Sequence, residues 1–462
     1  MLLRINSFQQ IIQSCEIDLS KKIILFVGYN NTGKTYVTQL IWAINNFIDF
    51  FGYANDKDVK SISFLGGEFN LPNETVVQHS RDIKEVYIDD IASRYTNYVK
   101  KSLAKVYKKN VDADFSIKFD INIFKSKPID IKVSGGSWSL TCTKRKGALK
   151  IKSLLTLQSG ATATQKEIDE IPREILNRYV EASLIKVFLT ANPVFMPSMR
   201  LFLPSFYKYI LTMEKEFKDG MFANLDKIND KNKKFFASSY TLPVDELIKK
   251  LVFQINEPIK NSSNIDALAR LMEGEISIDK SEDIGMIDIS YSHKSGAKIP
   301  MYLSSSMVNQ LATLYLYFKY WYQAEGSNFL LLDEPEMNLH PAKKIELLEL
   351  LLNFASKNKL LMATHSSTIA KSLINYIHLF DLKKKHSKES ASQLINDNKL
   401  KMDADIDLGS NDIGIYYFNG NTIIPYKHDD NSDIQFGTFT DIEKLQRKQY
   451  EEIMNFLEEH EA

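Results

Sequence analysis

Residues 329–341 read Phe-Leu-Leu-Leu-Asp-Glu-Pro-Glu-Met-Asn-Leu-His-Pro. Four apolar residues in a row, closed by a turn-forming proline, predict a short strand buried on both faces, the kind found in a sheet covered by helices. The strand ends in paired acids, Asp333 and Glu334. Oxygen ligands of this type suit a magnesium ion, and a second carboxylate beside them can activate water. The run points to an α/β fold and to phosphate chemistry, and the partners of the site can be sought by spacing.

The first partner is Gly28-Tyr-Asn-Asn-Thr-Gly-Lys-Thr35, which follows the apolar run Ile23 to Val27 and opens a helical stretch from Tyr36 to Phe47. This is G-x-x-x-x-G-K-T between a strand and a helix, the context that separates a phosphate loop from a chance glycine-rich turn. The glycines let backbone N–H groups of Asn30, Asn31, Thr32 and Gly33 curl around phosphates at a helix N-terminus. Lys34 is placed to reach the β- and γ-phosphates, and the Thr35 hydroxyl, with Asp333, to ligate magnesium. ATP is the nucleotide this reading implies.

A second strand-like run, Lys359-Leu-Leu-Met-Ala-Thr-His365-Ser, follows after the predicted helix Pro341 to Phe354. A lone histidine is usually a satisfied polar group. At the end of the next strand after an acidic pair, His365 can instead sense a γ-phosphate. A weaker element is Leu303-Ser304-Ser305-Ser306-Met307-Val-Asn-Gln310, ahead of a long helix predicted from about Met307 to Tyr322. Ser304, Ser305 and Ser306 can cap that helix, and the same hydroxyls and N–H groups can bind an anion.

These four elements resemble the ABC-ATPase superfamily, and within it the RecF-like and OLD-like branch (AAA_15/AAA_21-type) rather than transporter subunits. Asn338-Leu339-His340-Pro341 is similar to the N-L-H-P loop of that branch, where transporters usually carry aspartate in place of His340. Asn30-Asn31-Thr32 resembles its form of the phosphate loop, and Met196-Pro197-Ser198-Met199-Arg200 is similar to a proline-arginine segment of many bacterial members, with no role assigned. The resemblance covers residues 1 to 48 and about 190 to 428. It implies a catalytic set of Glu334 as general base, His365 as sensor and Lys34 on the phosphates. It also implies two subunits sandwiching nucleotide, with Ser304 to Ser306 of one against the phosphate of the other. Two departures stand out: serines replace the glycines of Leu-Ser-Gly-Gly-Gln, and no transporter-type Q-loop glutamine can be assigned.

Composition fits a soluble cytoplasmic protein. Lys plus Arg equals Asp plus Glu at 58 each, so no global positive field draws the 462-residue chain to nucleic acid or membrane. Two cysteines, Cys15 and Cys142, are too few for a disulfide framework, and the absence of Cys-x-x-Cys excludes a zinc hook. No apolar stretch reaches membrane-spanning length, and Met-Leu-Leu-Arg-Ile-Asn-Ser at the N-terminus lacks a signal-peptide core.

The chain between Lys34 and Asp333 is far longer than a nucleotide-binding core needs. The expectation is an ATPase core at 1–50 and 270–428, an inserted α+β and helical lobe at 51–269, and a C-terminal helical segment at 429–462. Within the insertion the pattern predicts a helix from Ile83 to Lys109, strands over Phe115 to Phe124 and Ile129 to Ser139, and a helical part at about 200 to 270. Beyond the core strands, Lys383 to Asp407 reads as a solvated linker, Ile413 to Tyr426 as a hairpin, and Thr440 to Glu458 as an amphipathic helix.

Several features read as decoys. Ser134-Gly135-Gly136-Ser137 mimics a signature motif but lies between two alternating runs, as a hairpin turn does. Asp403, Asp405 and Asp407 resemble the acidic cluster of a TOPRIM nuclease, yet too little chain follows them for that domain. Arg94, Tyr95, Tyr98, Lys100, Lys101, Lys105, Tyr107, Lys108 and Lys109, with Lys144 to Lys146, could track a phosphate backbone. A solvated helix face with an aromatic core stripe is the commoner arrangement.

The function this implies is a dimerising or higher homo-oligomeric ATP switch. It looks like the standalone ATPase subunits of Septu-type and PARIS-type anti-phage defence, which control a separate effector nuclease or toxin. The alternative is a RecF-like repair clamp, which leaves DNA open as a partner.

Overall fold

The structure is a computed structural model. It describes residues 1–46, Tyr53 and residues 79–155, 173–203, 240–280, 287–426 and 444–454, with short breaks inside those ranges. The chain divides into two compact units: Met1–Phe8, Glu16–Ser20 and Ala43–Ala191 form one, and Gln9–Cys15, Lys21–Trp42 and Asn192–Ala462 the other.

The second unit is built on a six-stranded mixed sheet in the order Thr422–Pro425, Ile413–Asn419, Ile23–Gly28, Lys359–Thr364, Phe329–Asp333, Pro193–Met196. All neighbours run parallel except the edge hairpin Ile413–Asn419 with Thr422–Pro425. Ile23–Gly28 and Phe329–Asp333 are buried at every position. Their unbroken apolar runs are what a sheet flanked by helices on both faces requires. This is the mixed α/β sheet expected from the sequence.

Register decides the site. Leu331 lies opposite Leu361, which in turn lies opposite Ile24. Carried forward, this sets Asp333 beside Ala363 and Thr364 beside Val27, so the acidic pair, His365 and the phosphate loop leave the sheet at one carboxyl edge, where open α/β sheets bind ligands. The strand starts are levelled by a buried amide pair: Asn328 Nδ2 donates to Asn358 Oδ1 at 2.8 Å, and Lys359 N to Asn328 O at 2.9 Å. Between these strands the helix Pro341–Lys357 opens on Pro341, with the His340 ring accepting from Ala342 N at 3.3 Å. It buries Leu347, Leu348, Leu351 and Leu352.

The helix predicted from Met307 to Tyr322 is α-helical over Ser306–Leu316 and then widens into a π-turn, Tyr317–Trp321, closed by Tyr322 N to Tyr317 O at 2.9 Å. The wider turn brings Tyr322 edge-on to Phe354, with ring centroids 6.1 Å apart, in a cluster with Tyr317 and Phe318. Tyr315, Tyr317 and Phe318 are buried. Lys383 to Asp407 is not a linker. The helix Ser367–Lys385 runs into it, and a second helix, Lys388–Asp397, is capped by Ser387 and anchored by buried Ala391 and Ile395. The terminal helix is present over 444–454, with Leu445, Tyr450 and Ile453 exposed.

In the first unit Leu2–Phe8 pairs antiparallel with Ala113–Lys118. His79–Arg81, Ala148–Leu155, Trp138–Arg145 and Ile129–Gly135 form a four-stranded sheet. Gly135 pairs with Trp138, so the strands on either side of the signature mimic are antiparallel neighbours; Gly136 and Ser137 lie outside the described residues. The predicted strand Phe115 to Phe124 stops at Lys118. Asp120 then accepts from Asn122 N at 2.8 Å and starts a short helix, Ile121–Ser126. On the helix Glu85–Tyr107, Tyr95 and Tyr107 face inward, Arg94 binds buried Glu181 at 3.2 Å, and Lys100 binds Asp114 at 3.0 Å. Much of the basic-aromatic pattern is therefore packing. The side chains of Lys144 to Lys146, and residues 204–239 of the second helical part, lie outside the described residues.

Candidate functional site

The phosphate loop is shaped by three residues of unusual backbone. Gly28 has φ +152° and Gly33 φ +92°, and between them Asn31 sits at φ +59°, a region asparagine tolerates better than most side chains. At Gly28 there is also no room: a Cβ would lie 2.2 Å from the Phe418 carbonyl oxygen of the neighbouring strand. Thr32 donates to Tyr29 O at 2.8 Å and closes the loop. Asn30 and Asn31 are exposed at its tip.

Lys34, the first residue of the helix Lys34–Asn46, turns back into the loop. Its ammonium donates to Tyr29 O at 2.6 Å, Gly28 O at 3.1 Å and Thr32 Oγ1 at 3.4 Å. Burial pushes it down to about 8, while Asp333, Glu334 and Glu336 pull the other way. Thr35 donates to Asp333 Oδ2 at 2.7 Å, which joins residues far apart in the chain. Asp333 is buried, and that burial raises its carboxyl to about 6, with Glu334 adding to the rise. The Thr35 bond and the charges of Arg200 and Lys34 oppose it.

Glu334 follows at φ +46° and its N–H donates to Ala363 O at 2.8 Å. Its carboxylate lies 3.8 Å from His365 Nε2, and both side chains are partly exposed. Burial and Lys34 hold the imidazole below its ordinary value, against Glu334 and a backbone bond at Gly28. These effects favour the neutral imidazole, in which one ring nitrogen accepts and the other donates.

Ser304, Ser305 and Ser306 are engaged otherwise. Ser304 donates to Met301 O at 2.7 Å and accepts from Asn309 Nδ2 at 2.8 Å. Ser305 caps the helix by accepting from Val308 N at 3.3 Å, and Ser306 is its exposed first residue. Lys34, Thr35, Asp333, Glu334 and His365 are brought together within the chain. Of the serines, Ser305 carries the capping bond, and the three stand beside exposed Tyr302 and Leu303.

Three residues that build the site escaped sequence reasoning as functional. Arg200, at the end of the edge strand's loop, donates from Nη1 to Asp333 O at 2.6 Å and from Nη2 to Glu334 O at 3.1 Å. Gln310 donates to Glu334 O at 3.2 Å. Buried Glu336 accepts from Thr364 Oγ1 at 2.5 Å, and Thr364 accepts from Ser366 N at 2.9 Å, which fixes the backbone on both sides of His365. The only signals were a second acid inside Asp-Glu-Pro-Glu and an arginine soon after a strand-ending proline.

Strand, glycine loop, buried lysine and hydroxyl–carboxylate pair define a nucleotide-phosphate site of the ATPase kind. The chain belongs to the AAA ATPase domain family (AAA_15), which matches residues 1–370. None of the curated proteins matches it. Among solved structures it is similar to the SMC head domain from Thermotoga maritima, at 12% identity over 92% of this chain and 98% of that one, with a TM-score of 0.30. It is also similar to an Smc head domain with an extended coiled coil bound to the C-terminal domain of ScpA, derived from Pyrococcus furiosus, at 13% identity over 98% of each chain, with a TM-score of 0.34. No helix among the described residues is long and apolar enough to cross a membrane.

Proposed function

We propose that the chain is a magnesium-dependent ATPase that works as a dimerising switch, and that it is the ATPase subunit of an anti-phage defence complex controlling a separate effector nuclease or toxin. The observation that carries the enzymatic part is the Thr35–Asp333 pair at 2.7 Å beside the Glu334–His365 pair at 3.8 Å. The effector part rests on the resemblance of the sequence motifs to standalone defence ATPases.

Magnesium fits the donor set, since a hydroxyl and a buried carboxylate are hard oxygen ligands already adjacent. Among the described residues no group of three or more His, Cys, Asp or Glu forms a site by itself, so water and phosphate oxygens would complete the shell. When bound, the ion would neutralise charge on the phosphates.

The loop N–H groups and Lys34 bind and orient the triphosphate, with the ammonium exchanging its three loop acceptors for phosphate oxygens. Glu334 takes the proton of the attacking water at its carboxylate. His365, neutral and next to it, donates to the γ-phosphate and reports its presence. Ser304 to Ser306, at the exposed start of their helix, meet the phosphate of a second copy. ATP acts as a switch only to the extent that it binds the closed pair more tightly than the open one.

Glu334→Gln is expected to bind ATP and to hydrolyse it at least about a hundredfold more slowly, the usual cost of losing a general base. Normal turnover would remove Glu334 from that role. The same variant, expressed with its neighbouring genes and purified with ATP, should retain an effector chain. A bare dimer that retains DNA would favour the repair clamp instead, although buried Tyr95 and Tyr107 and the tied Arg94 and Lys100 leave that reading less surface.

A further inference from the structure

Arg200 is 2% exposed, a rare place for a guanidinium that meets no carboxylate directly among the described residues. Its donors go to main-chain oxygens: Asp333 O at 2.6 Å, Pro197 O at 3.0 Å and Glu334 O at 3.1 Å. Glu334 O also accepts from Gln310 Nε2 at 3.2 Å and from Met337 N at 3.2 Å. Gln310 comes from the serine-capped helix, and Thr313 of that helix donates to Arg200 O at 3.4 Å. Two side chains from separate elements thus converge on one peptide group, the one that follows the proposed base.

That peptide needs holding. Glu334 sits at φ +46°, a conformation that is costly for a non-glycine residue and persists only where the surroundings over-determine it. If the backbone relaxed to an ordinary region, the carboxylate would swing away from His365. A buried cation is tolerable here because Asp333, Glu336 and Glu334 surround it with negative charge, and its pKa, lowered to about 10 by burial, keeps it protonated at neutral pH. The planar fork holds two successive carbonyls in a fixed geometry, Nη1 on Asp333 O and Nη2 on Glu334 O. A lysine ammonium supplies the charge as a point.

We propose that Arg200, with Gln310, is a positioning residue that clamps the Asp333–Glu334 backbone and so aims the Glu334 carboxylate. This rests on Glu334 being the base. Because Gln310 and Thr313 belong to the helix headed by Ser304 to Ser306, the clamp also ties that helix to the base within one chain.

The test compares ATP hydrolysis of Arg200→Lys with wild type, alone and combined with Glu334→Gln, using radiolabelled ATP in single turnover. ATP affinity and thermal unfolding are measured alongside. The expected result is a fall in kcat of roughly 10- to 100-fold, as for a misplaced catalytic group, with Kd for ATP within about threefold of wild type. In the Glu334→Gln background the same change should cost nothing further, because a residue acting through Glu334 has nothing left to aim. Gln310→Met, which removes one donor and keeps the volume, should show a smaller kcat loss with the same non-additivity, and it answers the question if Arg200→Lys does not fold. Unchanged kcat in a folded variant, a loss that multiplies with that of Glu334→Gln, or a loss confined to ATP binding overturns the proposal. If Glu334→Gln itself hydrolyses normally, the assignment of the base falls first and takes the clamp's purpose with it.

Discussion

Asp333→Asn should make the nucleotide-free protein more stable at neutral and alkaline pH. Burial raises the Asp333 carboxyl from 3.8 to about 6, so the native state keeps its proton over a range where the unfolded chain has released it. Each pH unit of such separation is worth about 1.4 kcal/mol. Stability from this group is therefore fully present below about pH 3.8 and is lost as pH rises through about 6, leaving an ionised Asp333 that costs the fold about 3 kcal/mol. The amide of asparagine keeps an acceptor for the Thr35 hydroxyl and carries no charge. The attraction of Arg200 and Lys34 for the carboxylate is already contained in the net shift, so its loss does not reverse the sign. Urea unfolding without nucleotide should show a gain of about 2–3 kcal/mol near pH 8, shrinking to about 1 kcal/mol near pH 4.5. A variant less stable than wild type at both pH values, or a difference that does not change with pH, would refute the reasoning.

Two further outcomes follow from the packing of the site. Gly28→Ala should destabilise by about 2–4 kcal/mol in thermal unfolding, because its Cβ meets the Phe418 carbonyl 2.2 Å away and neither strand can yield without loss of pairing. Glu336→Gln, which preserves an acceptor for the Thr364 hydroxyl, should change stability by less than about 1 kcal/mol, whereas Glu336→Leu leaves that donor unpaired and should cost about 1–3 kcal/mol in urea unfolding.

The core sheet was legible because its strands are unalternating apolar runs, and the residues that meet at its carboxyl edge were legible because a phosphate site would demand particular residue types at particular offsets. Gly28, Gly33, Lys34, Thr35 and Asp333 are of that kind. The loop around Arg200 was not, since the side chain acts on carbonyl oxygens that any sequence supplies. Lys383 to Asp407 misled for a related reason: its polar surface hides two anchors, Ala391 and Ile395, that suffice to dock a short helix once Ser387 caps it. Asp120 likewise ended a strand by capping, a local bond that outweighs alternation. On Glu85–Tyr107 two tyrosines at helical spacing, Tyr95 and Tyr107, fill the unit's interior, while Lys101 and Lys105 stay exposed.

The groups that make the site useful are the ones the fold tolerates least. Lys34, Asp333, Arg200 and Glu336 are all buried, and burial shifts each toward its neutral form. Isolated, any one of them would be expelled or neutralised. Together they are held because the cations and carboxylates offset one another and because the flanking strands are apolar throughout. The arrangement has a consequence for nucleotide binding. A triphosphate brings negative charge to Lys34, which frees its loop acceptors, and this changes the field at Asp333 and Glu334 in the same event. Glu334 O is held by Gln310 from the serine-capped helix, so a backbone adjustment at Glu334 is felt by that helix, whose start exposes Tyr302, Leu303, Ser305 and Ser306. That bond ties the position of Glu334 to the set of the helix, so Gln310→Met should loosen the one from the other before it weakens ATP affinity.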